Sequence, residues 1–406
     1  MTIRVAITGM GCVSGLGQGV DATWARAVDG DGAIAPFALP RGETARMTGP
    51  AAPVTALDPS AIEARFDRRV LGQLDPLSRF VVVAATEAID AAGLIGDPVL
   101  DTRTAIMIGC GSGGNETSDS GYRRLYERGQ TKVHPQTIPT AMISAPASQL
   151  AMLFGVHGPA LTIASACASS AHAIGEAMHM IRAGRADVVI AGGGEACLTL
   201  GSWVAWASLG AMANDNCRPF SIDRQGLVLG EGAAVLVLEA WDRAVARGAT
   251  IHGELIGYGA TSDAAHITMP DQTGIEAAIR AAHADAGLAL DVPVLISSHG
   301  TGTRLNDATE AAALRAVYGE ALGESLVIAT KSAHGHLIGG SGALEFVLGL
   351  RALVAGVAPP ILNHRGADPA CDIPLALAAT PIGYDHLVSN SFAFGGLNAV
   401  LIGGRA

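Results

Sequence analysis

The sequence is poor in charge: Asp, Glu, Lys and Arg make up 16% of the 406 residues, against 49% apolar residues. That balance excludes a disordered chain and a coiled coil. With 52 glycines it points instead to a tightly packed globule, long enough for two or three domain-sized units. Basic residues are the scarcer sign, 26 against 37, for a net charge of −11. A broad nucleic-acid footprint is therefore not expected, although local basic patches remain open. No CxxC pair occurs. The six cysteines (Cys12, Cys110, Cys167, Cys197, Cys217 and Cys371) are widely spread, as reduced thiols of a cytoplasmic protein would be and as a disulfide frame would not. The N-terminal residues read as a buried strand and lack the basic and apolar regions of a secretory signal, so a cytoplasmic location is expected. Val133–Glu176 contains no Asp, Lys or Arg, but Pro135, Pro139, Pro146 and Pro159 interrupt it. It is expected to be buried at a protein interface and not to cross a membrane. Nucleotide codes are missing as well: Gly9-Met-Gly-Cys-Val-Ser-Gly15 departs from GxGxxG, and there is no GxxxxGK[ST]. Apart from the weak pair His334/His336, no zinc-ligand spacing appears, and no metal is expected.

Short β-branched runs ending in glycine clusters alternate with alanine-rich segments of helical length, the pattern of βαβ units around a buried sheet. The class is α/β. Five of these runs recur in one order: Arg4-Val-Ala-Ile-Thr-Gly matches Gly253-Glu-Leu-Ile-Gly, Thr104-Ala-Ile-Met-Ile-Gly matches Val292-Pro-Val-Leu-Ile-Ser, and Leu161-Thr-Ile-Ala matches Leu326-Val-Ile-Ala. Val188-Val-Ile-Ala then matches His386-Leu-Val-Ser, and Ala233-Ala-Val-Leu-Val matches Ala399-Val-Leu-Ile-Gly. Collinearity of this kind indicates a duplicated five-stranded unit, residues 1–250 and 251–406. The first half is longer because residues 20–100 and 112–158 are inserted, and insertions of that size commonly carry binding or subunit contacts.

Three segments stand out for chemistry. In Ile163-Ala-Ser-Ala-Cys167-Ala-Ser-Ser, a cysteine stands where a strand gives way to a helix, so the helix N-terminus would favour its thiolate; a small buried cysteine is the plainer alternative. His299 lies in a polar, glycine-rich loop after a strand, and Asn306, Asp307 and Glu310 follow, suited to cap the next helix and fix the imidazole tautomer. Lys331-Ser-Ala-His-Gly-His336 begins at the strand end that the duplication makes equivalent to that of Cys167. The two ends would then face each other across a pseudo-twofold. A thiol among two histidines and a lysine suits acyl-thioester chemistry, while His334 is read as structural. In Asn390-Ser-Phe-Ala-Phe394-Gly-Gly-Leu-Asn398 the turn could supply an oxyanion-hole N–H and an aromatic gate. Asp223 and Arg224, in a similar loop, are read as a surface ion pair.

Taken together, the order Cys, His, Lys-x4-His and Asn-Ser-Phe-x-Phe-Gly-Gly-x-Asn resembles the chain-elongating β-ketoacyl-acyl-carrier-protein synthases, over essentially the whole chain. The resemblance implies a thiolase-like fold with its two halves layered αβαβα. It implies that Cys167 takes the acyl chain from the phosphopantetheine of an acyl carrier protein, with no other cofactor. His299 and His336 would bind the malonyl thioester and promote decarboxylation, with Lys331 close to His336 and Glu345 supporting it. The backbone N–H groups of Cys167 and Phe394 would form the oxyanion hole, with Thr301, Thr303 and Asp307 in support. Ile108, Ile138, Leu227, Phe392, Phe394 and Leu397 would line or gate the acyl pocket. Arg65, Arg68, Arg69, Arg123, Arg124 and Arg128 resemble a carrier-binding patch, and the uncharged segment from Ile138 to Leu161 resembles a dimer interface, in a homodimer or a heterodimer with a chain-length subunit.

Three positions depart from the family pattern: Leu227 replaces a usual phenylalanine, Ala393 a glycine and Leu397 a threonine. They imply a specialised elongating enzyme, acting on a polyunsaturated, signalling-lipid or polyketide chain. The alternative is a non-catalytic chain-length partner, although such partners usually lack the cysteine. A thiolase would carry a second cysteine near the C-terminus, and a starter-condensing enzyme an asparagine in place of the second histidine; neither matches.

Overall fold

The computed structural model describes residues 2–41 and 45–406. Ten strands frame it: β1 (Val5–Ser14), β2 (Thr104–Gly109), β3 (Ala160–Ile163), β4 (Val188–Glu195), β5 (Gly232–Ala240), β6 (Gly253–Ser262), β7 (Leu295–Ser297), β8 (Leu326–Ile328), β9 (His386–Ala393) and β10 (Leu397–Gly404). They follow one another in space as β8-β7-β9-β10-β6-β1-β5-β4-β2-β3. Read outward from the middle, the two arms have the same order displaced by five. Each of the five matched sequence runs therefore occupies equivalent positions in the two arms. The arms join where Val5–Ile7 of β1 pairs antiparallel with Gly253–Leu255 of β6.

The helices used below are α1 (Pro76–Ala91), α2 (Asn115–Tyr126), α3 (Thr137–Ala141), α4 (Ala145–Phe154), α5 (Ser169–Arg182), α6 (Leu200–Ser208), α7 (Gln272–Ala286), α8 (Arg304–Tyr318) and α9 (Ser341–Ala355). α1 covers β1 and β5 from outside, α7 covers β6 and β10, and α8 packs on α7. Between the arms lie α5 and α9, which touch each other and strands of both halves. This is the αβαβα layering of a thiolase-like fold.

Local sequence explains the key placements. α1 starts at Asp75-Pro76, where the Asp75 carboxylate accepts from Leu77 N–H at 3.0 Å and the proline needs no partner. Every residue of α9 from Ser341 to Leu350 is buried, as an all-round apolar helix requires. Among the described residues, the one helical stretch long and apolar enough to cross a membrane, Ile338–Ala355, is this central helix and is 83% buried. α5 can lie directly on β2 because residue 109 is glycine: a Cβ there would stand 2.2 Å from Ser170 N. That close approach fixes the turn carrying Cys167.

The uncharged stretch from Val133 divides. Its outer part forms α3 and α4, with Ile138, Met142 and Met152 exposed by 70, 45 and 67%; its inner part leads into buried α5. In the single chain this outer part packs Ala145, Ala147 and Leu150 inward and leaves an apolar surface exposed.

Candidate active site

Cys167 sits in a short turn, Ala166–Ala168, between β3 and α5. Ala166 has φ 47°, left-handed backbone that is costly for a residue with a side chain. The helix N-terminus was expected to favour the thiolate, but burial outweighs it and pushes the thiol up to about 12. Opposing this shift are the Lys331 charge and then the Phe394 amide, which acts on the sulfur as a donor. The resting group is thus a thiol, in surroundings that can receive charge.

His299 follows β7 in the other half, and His336 follows β8 after the turn Lys331–His334. The Cys167 sulfur and a ring nitrogen of each histidine lie within 4.8 Å of one another. The imidazoles meet edge to face, centroids 5.5 Å apart at 82°. The strand ends related by the duplication are therefore brought together.

Lys331, fully buried, leans on His299 and not on His336. Its Nζ donates to His299 O at 2.6 Å, lies 3.3 Å from His299 Nδ1 and pairs with the buried Glu345 carboxylate. An ammonium can only donate, so Nδ1 accepts and Nε2 carries the ring proton. At His336, Nδ1 accepts the Ile338 N–H at 3.2 Å, which again leaves the proton on Nε2, a buried atom with no partner among the described residues. The Ser341 hydroxyl lies 2.8 Å from the same Nδ1. Burial holds both imidazoles well below the usual histidine range, and the Lys331 charge adds to this. The site thus holds two neutral imidazoles with Nε2–H donors. A zinc ion would need the lone pairs at those Nε2 atoms, so the hydrogen bonds at Nδ1 oppose the use of this Cys-His-His set as metal ligands.

Acidic side chains hold the loops and not the ring nitrogens, contrary to the expectation for Asp307 and Glu310. Glu310 accepts from His299 N–H at 2.8 Å and Gly300 N–H at 2.9 Å, and Asp307 from Phe220 N–H at 2.8 Å and Gly302 N–H at 3.2 Å. The imidazole tautomer is fixed by Lys331 instead. Glu195, unremarked in the sequence, accepts from Gly111 N–H, the Ser112 hydroxyl and Gly339 N–H at 2.8–3.1 Å, and so ties a loop of the first half to the His336 segment of the second. His334 bonds Thr330 and lies off the cavity, in keeping with a structural residue.

Cys167, His299 and His336 open into a cavity of about 500 Å³ whose walls include Thr301, Thr303, Leu227, Phe392 and Phe394. Three expected pocket residues lie elsewhere. Ile108 is fully buried in the core on the α1 side, because alternation along β2 turns it and Ile106 away from α5. Leu397 packs against the main core. Ile138 stands on the surface in α3, outside the cavity of its own chain.

Half of the arginines in the two clusters are neutralised: Arg65 pairs with Asp90, Arg68 with Glu63 and Arg123 with Glu127. Arg69 and Arg128 are exposed, and Arg124 lines a second cavity, of about 340 Å³, between residues 72–76 and α2. Arg224 is not in a surface pair with Asp223. It is buried, pairs with Asp368 and donates to the carbonyls of Ser221, Thr303 and Arg304, while Asp223 accepts from the Ser221 hydroxyl.

Comparison with known families agrees with this geometry. Residues 2–244 match the N-terminal domain of beta-ketoacyl synthases and residues 252–365 the C-terminal domain. The chain belongs to the β-ketoacyl synthase family. It is 40% identical to "Nodulation protein E" of Rhizobium sp. (strain N33) over 99% of both chains. To "3-oxoacyl-[acyl-carrier-protein] synthase 2" of Staphylococcus aureus (strain MRSA252) it is 35% identical over 98% of both. The solved structure described as "The ishigamide ketosynthase/chain length factor" superposes with a TM-score of 0.94 at 33% identity, covering both chains completely.

Proposed function

We propose that this synthase extends an acyl chain by two carbons through decarboxylative Claisen condensation with malonyl-acyl-carrier protein. The observation that carries the reading is the thiol within 4.8 Å of ring nitrogens of two imidazoles, each with its proton on Nε2, that of His336 facing no protein acceptor. In the first half-reaction the Cys167 sulfur attacks the acyl thioester, the carrier's sulfur leaves with the proton, and a new thioester forms on the enzyme. The developing oxyanion is held by the Cys167 and Phe394 amides. In the second, His299 and His336 donate to the malonyl thioester oxygen. The C–C bond to the carboxylate then breaks, CO2 departs, and the electron pair is held as an enolate. That carbon attacks the acyl-cysteine, a C–C bond forms, and the thiolate of Cys167 is released. Lys331, paired with Glu345, keeps His299 in its tautomer and the Ile338 N–H keeps His336 in its own, so the barrier falls by electrostatic positioning.

The names of two relatives bear on partners. The Staphylococcus protein is named for an acyl carrier protein and the ishigamide structure for a ketosynthase with a chain length factor. An acyl carrier protein delivering substrates on phosphopantetheine is accordingly part of the proposal. A second ketosynthase-like subunit, identical or homologous, would cover the apolar face of α3 and α4. Leu227 and Ala393, which line the cavity, together with the similarity to a nodulation protein, favour a specialised acyl chain over general saturated elongation.

The test is intact-protein mass spectrometry after incubation with a panel of acyl-carrier thioesters. An acyl adduct on the wild type that is lost in Cys167→Ala is expected. A folded wild type that takes no acyl group from any donor, alone or with a second subunit, overturns the proposal.

A further inference from the structure

Among the cavity residues, Trp206 is an aromatic side chain to which nothing above assigns a role. It lies on α6, whose neighbouring residues Ala205 and Ala207 are exposed, and its half-buried indole stacks on Phe394 with ring centroids 5.9 Å apart and planes at 25°. Both rings line the cavity that ends at Cys167. Phe394 is followed by Gly395 and Gly396, with φ 86° and 70°, so the backbone here is compliant and has to be held from outside. Two clasps come from the 263–271 loop: Gly395 N–H donates to Ile267 O at 2.7 Å, and Asp263 N–H donates to Gly396 O at 2.8 Å. Both act after residue 394. On the Phe394 side chain itself, the Trp206 face supplies the aromatic contact.

We infer that Trp206 is a positioning residue: its indole, stacked on Phe394, holds the turn so that the Phe394 amide faces the Cys167 sulfur. The chain of contacts runs from a half-exposed ring at the rim, through Phe394, to the N–H that meets the thiol. Because that N–H is one of the few groups offsetting burial of the sulfur, displacing it lowers both thiolate formation and stabilisation of the oxyanion. A side chain that merely narrowed the opening would act in the opposite sense on a small reagent, because its removal would admit the reagent more freely. The two roles thus differ in sign.

The first readout is labelling of Cys167 by a small maleimide at pH 7.5, followed by mass spectrometry in Trp206→Ala, Trp206→Phe and the exposed-site control Val204→Ala. It needs no acyl donor, so its outcome is independent of the condensation reading. Trp206→Ala is expected to label at least fivefold more slowly than wild type despite the wider opening. Trp206→Phe, which keeps a stacking ring, should return to within about threefold, and Val204→Ala should match wild type. Faster or unchanged labelling of Trp206→Ala overturns the inference. The second readout, resting on the condensation reading, is single-turnover acylation by an acyl-carrier thioester. Trp206→Ala should lose about tenfold in maximal rate with the half-saturating concentration changed less than threefold. A raised half-saturating concentration with the maximal rate intact overturns it, whereas absence of acylation in the wild type counts against the proposed function alone.

Discussion

Replacing Lys331 with methionine separates what the buried ion pair does for stability from what it does for reactivity. Both side chains of the Lys331–Glu345 pair are 1% exposed, and removing one partner of such a pair costs roughly 3–5 kcal/mol. Part of this is recovered, because burial already raises the Glu345 carboxyl to about 7, against which the Lys331 charge pulls it down. Without the cation it takes up a proton at neutral pH, and this uptake, absent from the unfolded chain, itself costs about 3 kcal/mol. A net loss of about 3 kcal/mol is therefore expected for Lys331→Met. With an unfolding entropy of roughly 2.1 cal/mol/K per residue over 406 residues, that corresponds to a fall in Tm of about 3–4 °C. Adding Glu345→Gln removes the orphaned acid and should restore at least half of the lost stability. Activity should not return. His299 Nδ1 has lost its donor, so its proton is free to move to that atom, and the thiol has lost the charge that most opposes its burial. CO2 release from malonyl-carrier thioester should fall by about 10²–10⁴ in both the single and the double variant. Thermal unfolding and a CO2-release assay on the three proteins provide the check. A double variant no more stable than the single one, or a single variant with activity within tenfold of wild type, refutes the reasoning.

Burial raises Glu231 to about 7 as well, with the Val54 N–H as an opposing influence. Its native form thus binds more protons than the unfolded form above the ordinary carboxyl value, and stability is lost as pH rises from about 4.5 through 7, by at most about 3 kcal/mol. Glu231→Gln should flatten that decline between pH 5 and pH 8 in urea unfolding, and an unchanged slope counts against it. Gly109→Ala places a methyl group 2.2 Å from Ser170 N and should destabilise the protein severely or block folding. Gly323→Ala, where nothing lies within 4 Å, should leave Tm within about 1 °C.

The duplication was legible because apolar strand runs kept their order, and the spatial order of the ten strands repeats it. Convergence of Cys167 with Lys331 and His336 followed from that single geometric idea. Other features could not be read in one dimension. Ile108 is apolar on either face of β2, and only packing against α5 and α1 decides which face it takes. Glu195 acts by accepting backbone N–H groups from remote loops, so no side-chain pattern marks it, and its one cue is its place after three glycines at the end of β4; Glu310 stands out by its nearness to His299, but not the backbone N–H groups it accepts from. The thiol's protonation state is not legible either, because local helix polarity is visible in sequence and burial is not. Arg224 looks like a surface residue beside Asp223 until the fold covers it with the carbonyls of Thr303 and Arg304.

The placement of α9 has a consequence for how the protein is made. The helix that closes the inner faces of both arms lies close to the C-terminal end of the fold, so the first arm is synthesised well before its cover exists. At ribosomal speeds of about 5–20 residues per second, the roughly 115 residues from the end of β5 to the end of α9 take about 6–23 s. Throughout that interval the inner side of the first sheet, with α5 and Cys167 upon it, faces solvent or a chaperone, and α9 itself emerges as a segment greasy enough to be mistaken for a membrane anchor. Cells expressing this chain at high level should therefore accumulate inclusion bodies built from half-finished molecules, and slowing translation after residue 250 should worsen that loss.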